Sequence, residues 1–169
     1  INGRLDGYIC VSEAAAAAAG QRHDAARAPP KVIAPGVQLA SVDHVEQART
    51  ERADAQPTVV TAGRLEHERR FDVLIDAIPL IASTFPDCRF LIAGAGKAEH
   101  DLKSRARGLG LERVIEWTGW LPDTAPVLAQ SHVYVNTWPS EGFGMATAEA
   151  MGYSLPVIVT DTGASPELV

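Results

Sequence analysis

From Thr58 onward the chain alternates short apolar runs with longer amphipathic stretches. Runs rich in β-branched residues are typical of buried strands, and the stretches between them carry the apolar spacing of helices. Strands and helices that alternate in this way favour an α/β, Rossmann-like fold, in which a parallel sheet has helices on both faces. Ligands of such sheets bind beyond the carboxyl ends of the strands. The pattern predicts strands at 58–62, 89–93, 114–118, 133–137 and 156–160, and helices at 71–83, 98–109, 123–130 and 144–151.

The first 57 residues carry shorter signals. Gly7–Val11 is typical of a short strand, and Ser12 is a candidate N-cap for a helix over Ala14–Ala19. A second strand is predicted at Lys31–Val37. Residues 41–57 are polar and mixed in charge, without a sustained period, so we predict a linker that can hold a fragment of helix. The predicted parts are therefore an αβ segment (1–40), a linker (41–57) and a main domain (58–169).

Composition narrows the class of protein. A chain of 169 residues suits one domain, and 46% apolar with 21% charged residues is ordinary for a globular protein. A net charge of -6, from 15 basic and 21 acidic residues, argues against a nucleic-acid partner. Cys10 and Cys88 lie far apart without metal-ligand spacing, which predicts no disulfide framework, no zinc site and a reducing compartment. No apolar run approaches the roughly 18 to 20 residues of a membrane span.

The ends of the sequence suggest a piece of a longer protein. The chain begins at Ile1 without a methionine, and Pro166–Val169 has the pattern of a helix that is just starting. We therefore expect an internal segment rather than a whole protein.

A glycine-bearing loop between the strand at 133–137 and the helix at 144–151 is the strongest candidate site. Gly142 and Gly144 allow backbone N–H groups to approach a ligand closely. The free N–H groups of the first helical turn and the positive end of the helix dipole favour an anion there. The loop therefore predicts a phosphate-binding site.

Two carboxylates bracket this loop. Glu141 precedes it, and Glu149 lies five residues after Gly144, or ~7.5 Å along the helix axis. With a diphosphate at the helix N-terminus, Glu149 can accept hydrogen bonds from ribose hydroxyls and Glu141 from sugar hydroxyls. The alternative is a solvated Glu149 beside a tight turn.

The longer stretch EGFGMATAEAMGYSLPVIVTDTGASPELV, from Glu141 to Val169, closely resembles the donor-binding motif of family 4 retaining glycosyltransferases of the GT-B fold. In that family a buried Pro-Val strand and a small-residue turn ending in Pro-Glu follow the motif, as Pro156–Val159 and Gly163–Glu167 do here. ICVSE and KVIAPGV resemble the last strand, helix and strand of the family's N-terminal domain. The resemblance implies an incomplete C-terminal, donor-binding half of a GT-B fold with a remnant of the N-terminal domain.

The resemblance also implies roles for single residues. Glu141, Arg64 and Arg69 are the expected catalytic residues: Glu141 holds the donor sugar, and the two arginines neutralise the leaving diphosphate. The family has Lys-Gly where this chain has Arg69-Arg70, which keeps the charge but changes its geometry. Trp120 is a candidate for base stacking, with a core or surface position as the alternative. The expected donor-binding residues are Gly63, Leu121, Gly142, Phe143, Gly144, Met145, Ala146 and Glu149.

The implied substrate is a UDP- or GDP-linked sugar, handled without a metal or other cofactor. The implied acceptor is a sugar, a lipid or a small molecule, and the remaining partner is the missing N-terminal domain. The expected location is cytoplasmic, with peripheral attachment to the inner face of a membrane left open.

Two other functions remain open at this point. The chain can be a nucleotide-sugar-binding module without turnover, since the acceptor site of GT-B enzymes belongs to the N-terminal domain. Gly94-Ala95-Gly96 also permits a dinucleotide-binding domain, although Glu99 stands where a third glycine belongs.

Overall fold

A computed structural model describes residues 7–20 and 29–169. Its main sheet has five parallel strands in the order β5-β4-β3-β6-β7, and a separate parallel pair joins β1 to β2. The first two strands are β1 (Ile9–Cys10) and β2 (Lys31–Val32). The strands of the main sheet are β3 (Thr58–Ala62), β4 (Arg89–Ala93), β5 (Ile115–Gly119), β6 (Val133–Asn136) and β7 (Val157–Val159).

Seven α-helices accompany these strands within the described residues, and a 3₁₀ turn at His67–Arg69 precedes one of them. None of the helices in this part of the chain is long and apolar enough to cross a membrane. The helices are α1 (Glu13–Gly20), α2 (Val42–Ala53), α3 (Phe71–Thr84), α4 (Glu99–Gly108), α5 (Ala125–Ala129), α6 (Met145–Gly152) and α7 (Ser165–Leu168).

Alternating side chains of the central strands divide the core into two layers. Phe90 and Ile92 of β4 point into a cluster with residues of α3 and α4. Leu91 and Ala93 point the other way, into a cluster with residues of α5 and α6. Successive side chains of a strand face opposite sides of a sheet, so an uninterrupted apolar strand must be covered on both. The predicted α/β fold with helices on both faces is therefore confirmed.

The segment predicted as a linker contains more helix than expected. Ser41 caps α2 by accepting a hydrogen bond from the His44 N–H at 3.3 Å. The helix has no apolar stripe, and its periodicity therefore gave little signal. It is held by the buried Ala48 and by Arg52, whose two terminal nitrogens donate to the Tyr153 carbonyl at 3.4 and 3.3 Å. The boundary between linker and main domain stays a prediction.

The strands of the predicted N-terminal αβ segment are shorter than the sequence pattern suggested. Only Lys31 and Val32 of the predicted strand 31–37 are in a ladder, and they pair with β1. Residues 1–6 and 21–28 of the predicted 1–40 unit lie outside the described residues.

Helix α1 docks on the far end of the chain. Ser12, which is buried, accepts a hydrogen bond from the Ala15 N–H at 3.0 Å, as predicted for an N-cap. Its hydroxyl donates in turn to the Gly142 carbonyl at 2.7 Å. The Glu167 carboxylate accepts hydrogen bonds from the Glu13 and Ala14 N–H groups at 2.9 and 2.7 Å. A carboxylate at a helix N-terminus satisfies free donors and complements the helix dipole.

Gly94 and Gly96 serve close packing between loops. A Cβ atom on Gly94 would lie 1.8 Å from the Gly63 carbonyl oxygen, and one on Gly96 would lie 2.3 Å from the Leu65 carbonyl oxygen. The loop after β4 therefore fits against the loop after β3 only without side chains at these positions. This packing accounts for both glycines of the dinucleotide-like turn.

We predict that Gly94→Ala strongly destabilises the fold. Gly94 has a φ of +145°, and the added methyl group collides with backbone that cannot move aside. We expect a loss of at least ~3 kcal/mol in the free energy of unfolding, measured by urea denaturation.

Gly108→Ala is the matched control for this substitution. Gly108 ends α4, and a Cβ atom there meets nothing within 4 Å. The control should gain about 0.5 to 1 kcal/mol by restricting the unfolded chain. Equal stability of the two variants would contradict the loop-packing role of Gly94.

Candidate functional site

Three predicted site residues from two loops, the one after β3 and the one after β5, meet above the carboxyl ends of β3, β4 and β5. A cleft of about 230 Å³ lies there, and Gly63, Arg64 and Leu121 line it. A second cleft of about 500 Å³, lined by Glu149, shares Thr124 with the first. The ends of parallel strands converge at one edge of the sheet, which explains why residues far apart in sequence come together.

The carboxylate of Glu141 is held on both oxygens. The Gly142 N–H donates to Oε1 at 3.1 Å, and the Asn136 side-chain amide donates to Oε2 at 3.0 Å. The Ala164 N–H also donates to the Glu141 carbonyl at 2.8 Å. Each carboxylate oxygen has a second lone pair that remains open for a ligand hydroxyl.

The loop after Glu141 leads directly into α6, which begins at Met145. Gly144 precedes it with a left-handed φ of 97°, a conformation that glycine adopts without strain. The Gly142 N–H is already bonded to Glu141. Among the hydrogen bonds of the described residues, none uses the N–H groups of Phe143, Met145 or Ala146 as donors. These groups are the free donors that an anion at the helix N-terminus would use.

Arg69 lies over the ring of Trp138, with 3.9 Å between Cζ and the ring centroid. A Cβ atom on Gly63 would lie 3.1 Å from the Nη1 atom of Arg69, so the glycine leaves room for the guanidinium. Burial lowers the pKa of the Arg69 guanidinium, and the carboxylate of Glu141 opposes this effect. In the part of the chain that the structure describes, no protein group accepts a hydrogen bond from this side chain. Its N–H donors are therefore available to a ligand.

Arg64 and Arg70 differ from Arg69 in their surroundings. Arg64 is exposed at the rim of the smaller cleft. Arg70 points elsewhere: its side chain pairs with the carboxylate of Asp72, which raises the pKa of the guanidinium. Its backbone has a left-handed conformation, with φ 56° and ψ 37°. This geometry explains why glycine suits the position in the resembling family.

Glu149 is hydrogen bonded on one oxygen only. The Thr124 hydroxyl donates to Oε2 at 2.8 Å, and Oε1 has no donor among the described residues. Because Glu149 borders the 500 Å³ cleft, this oxygen can face a ligand there.

The two tryptophans of the β5 region are placed differently. Trp117 packs against the α3/α4 side of the core, whereas Trp120 is 72% exposed at the smaller cleft. Trp120 therefore does not have the core position that was one of its alternatives. Its role in base stacking stays a prediction.

Sequence reasoning missed three residues of this site: Asn136, Trp138 and Thr124. Asn136 binds Glu141, Trp138 supports Arg69, and Thr124 binds Glu149. The available signal was positional, since Asn136 ends a strand and Trp138 is the first residue of the glycine-bearing loop. Within residues 7–20 and 29–169, no three His, Cys, Asp or Glu side chains are grouped so that they could hold a metal ion.

Comparison with known proteins places this site in a family. Residues 56–169 match the family model described as glycosyl transferases group 1. The chain belongs to the group 1 glycosyltransferases. Its described fold is that of the C-terminal domain of a GT-B glycosyltransferase, and the resemblance seen in the sequence is confirmed.

Similar glycosyltransferases are found among bacterial proteins that act on phosphatidylinositol lipids. A GDP-mannose-dependent alpha-(1-6)-phosphatidylinositol dimannoside mannosyltransferase of Mycobacterium tuberculosis is 34% identical over 128 residues, covering 72% of this chain and 32% of the relative. A phosphatidyl-myo-inositol mannosyltransferase of Propionibacterium freudenreichii is 31% identical over 160 residues, covering 94% and 39%. The chain thus spans less than half the length of these relatives.

A solved glycosyltransferase structure has the same fold. The crystal structure of Anabaena HepE in complex with UDP and glucose superimposes with a TM-score of 0.79 and 26% identity, covering 98% of this chain and 47% of HepE.

We predict that the backbone at Arg70 is strained and that glycine relieves it. Arg70→Val and Arg70→Gly both remove the ion pair with Asp72, and they differ in their tolerance of the left-handed conformation. The midpoint of thermal unfolding should be about 2 to 8 °C lower for the valine variant than for the glycine variant. Equal midpoints would show that the loop rearranges at no cost.

Proposed function

We propose that this chain is the donor-binding part of a retaining glycosyltransferase, which transfers a sugar from a nucleoside diphosphate sugar to an acceptor. The observation that carries the proposal is the half-buried Arg69 guanidinium, whose donors find no protein acceptor among the described residues. Buried polar groups are normally hydrogen bonded, so a stacked guanidinium without an acceptor favours an anionic ligand. The unused N–H groups at the start of α6 are a second set of anion donors.

The remaining site residues suit the other parts of such a donor. Glu141, fixed by Asn136, accepts hydrogen bonds from hydroxyls of the transferred sugar. The free oxygen of Glu149 accepts from the ribose, with Thr124 holding the other oxygen. Leu121 and Trp120 line the part of the smaller cleft that takes the base, and Gly63 and Arg64 line its other part, toward the diphosphate.

In the proposed reaction, the bond between the anomeric carbon of the sugar and the β-phosphate oxygen breaks. The acceptor oxygen bonds to the same face of that carbon, which retains the anomeric configuration. The electron pair of the broken bond passes to the diphosphate, and a diphosphate oxygen takes the proton of the acceptor hydroxyl. Arg64 and Arg69 stabilise the negative charge that develops on the leaving group. No metal or cofactor enters this proposal.

The base of the donor is uracil or guanine. The use of GDP-mannose by the mycobacterial relative supports guanine, and the UDP complex of HepE supports uracil. The acceptor is a sugar, a lipid or a small molecule, and the phosphatidylinositol named in several relatives supports the lipid. We place the full-length protein in the cytoplasm, at the inner face of a membrane if its acceptor is a lipid.

A second proposal follows from the share of the relatives that the chain spans. The chain alone binds the donor but does not turn it over, because GT-B enzymes complete the active site with the N-terminal domain. Hydrolysis or transfer by the 169-residue chain in a donor-sugar assay would contradict this second proposal.

We predict that Arg64→Ala weakens the binding of UDP or GDP, whichever the wild type prefers. Loss of a hydrogen bond to a charged group costs roughly 1.5 to 3 kcal/mol, which calorimetry resolves easily. Arg113→Ala is the control, since this exposed arginine precedes β5 at the opposite edge of the sheet. Unchanged affinity in Arg64→Ala would remove Arg64 from the site.

We also predict that Glu149→Ala removes the contribution of the ribose to binding and leaves that of the diphosphate unchanged. The variant should lose affinity for the nucleoside diphosphate but keep the wild-type affinity for inorganic pyrophosphate, because its carboxylate meets only hydroxyls. Titration calorimetry with both ligands measures the difference, and Glu112→Ala, in an exposed loop at the amino edge of the sheet, is the control. Equal weakening of both ligands would show that Glu149 does not bind the ribose.

A further inference from the structure

We infer that Trp138 is a positioning residue that aims the Arg69 guanidinium at the diphosphate. This inference rests on the proposed function and adds to the site a residue that lies before the Glu141–Val169 motif. The guanidinium lies over the indole ring, with 3.9 Å between Cζ and the ring centroid. A cation at this distance from a tryptophan face is attracted by the negative charge of the π system.

The ring is itself fixed by hydrogen bonds on both sides of its backbone. The Trp138 N–H donates to Oδ1 of Asn136 at 3.0 Å, and the Trp138 carbonyl accepts from the Thr160 hydroxyl at 2.6 Å. The indole therefore sits on backbone that is tied to the ends of β6 and β7. A flat surface of this kind can orient a planar group without occupying its hydrogen-bond donors.

Arg69 is tied to the same segment through its backbone. The Thr137 hydroxyl donates to the Arg69 carbonyl at 3.0 Å. Arg69 thus has its main chain bound by Thr137 and its side chain stacked on Trp138, while Gly63 leaves space beside Nη1. Stacking uses the face of the guanidinium and leaves the N–H edge available for phosphate oxygens.

This arrangement explains why an arginine stands at position 69. A lysine ammonium is a compact point charge on a flexible stem, and it gains little direction from a ring. A planar guanidinium on a fixed indole is oriented before the ligand arrives. Trp138 and Arg69 therefore act as a pair, and removal of the ring should affect the diphosphate alone.

The test compares Trp138→Phe and Trp138→Leu with the wild type in this 169-residue chain. Calorimetry gives the affinities for the preferred nucleoside diphosphate and for its nucleoside, which lacks phosphate. We expect Trp138→Leu to lower the affinity for the nucleoside diphosphate about tenfold, and Trp138→Phe to lower it about threefold. Binding of the nucleoside should change less than about twofold, because its proposed contacts are with Leu121 and Glu149 and it carries no phosphate for Arg69 to bind.

If Trp138 had only a structural role, its substitution would lower the affinities for both ligands together. Trp117→Leu is the matched control, because Trp117 lies 5.6 Å from the Lys103 ammonium on the α3/α4 side of the core. It should lower the thermal midpoint while leaving the ratio of the two affinities unchanged. If Trp138→Leu does not fold, Trp138→Phe alone decides the matter, since it keeps an aromatic ring of lower π charge.

A double variant gives an independent check. In the Arg69→Ala background, Trp138→Phe should cause no further loss of diphosphate affinity, since the ring then has no cation to orient. Full additivity of the two losses would overturn the inference. So would a Trp138→Phe affinity ratio equal to that of the wild type. Absence of any nucleotide binding by the wild type would overturn the proposed function, and this inference with it.

Discussion

The site depends on the parallel pairing of β3 with β4 on one side and β6 on the other. Because these strands run in one direction, the loops that bear Arg64, Gly94 and Trp138 leave the sheet at the same edge. The register of β3 against β6 pairs Val59 with Val133 and Val60 with Tyr134. A slip of one residue would turn the side chains of β6 to the opposite face and separate Asn136 from Glu141.

At this edge a single side chain organises groups of opposite charge. The Asn136 amide nitrogen holds the carboxylate of Glu141, and its oxygen holds the backbone of Trp138, on which Arg69 stacks. The carboxylate and the cation are thus set relative to each other before any ligand is bound. Groups fixed in this way need little reorganisation when charge develops during a reaction, which is the main source of electrostatic catalysis.

The sequence predicted the main sheet well because its central strands consist mostly of apolar and β-branched residues. The predicted bounds of β3 and β4 agree with the structure, since strands covered on both faces give a strong local signal. Helix α2 was largely missed because tertiary contacts of Ala48 and Arg52 hold it, rather than an amphipathic face. Periodicity cannot report contacts that form between distant parts of the chain.

The candidate site was likewise predicted only where the sequence carries a local signal. The family resemblance pointed to Glu141, Glu149 and the two arginines, but their partners Asn136, Thr124 and Trp138 depend on how the strand ends meet. Asparagine at a strand end and threonine near a helix start are common, so neither residue by itself indicates a site. The left-handed backbone of Arg70 was not predicted either. The only signal for it was that arginine stands where the resembling family has glycine.

The contact between α1 and Glu167 has a consequence for the order of folding. The carboxylate that caps the first helix lies 154 residues beyond the Glu13 N–H that it binds. Closure of so long a loop costs more entropy than closure of a short one, and contacts of large sequence separation form slowly. During synthesis on the ribosome, α1 cannot receive its cap until almost the whole of this segment has emerged. Docking of the N-terminal segment onto the Gly142 loop therefore belongs among the last events of folding, after the five-stranded sheet has formed.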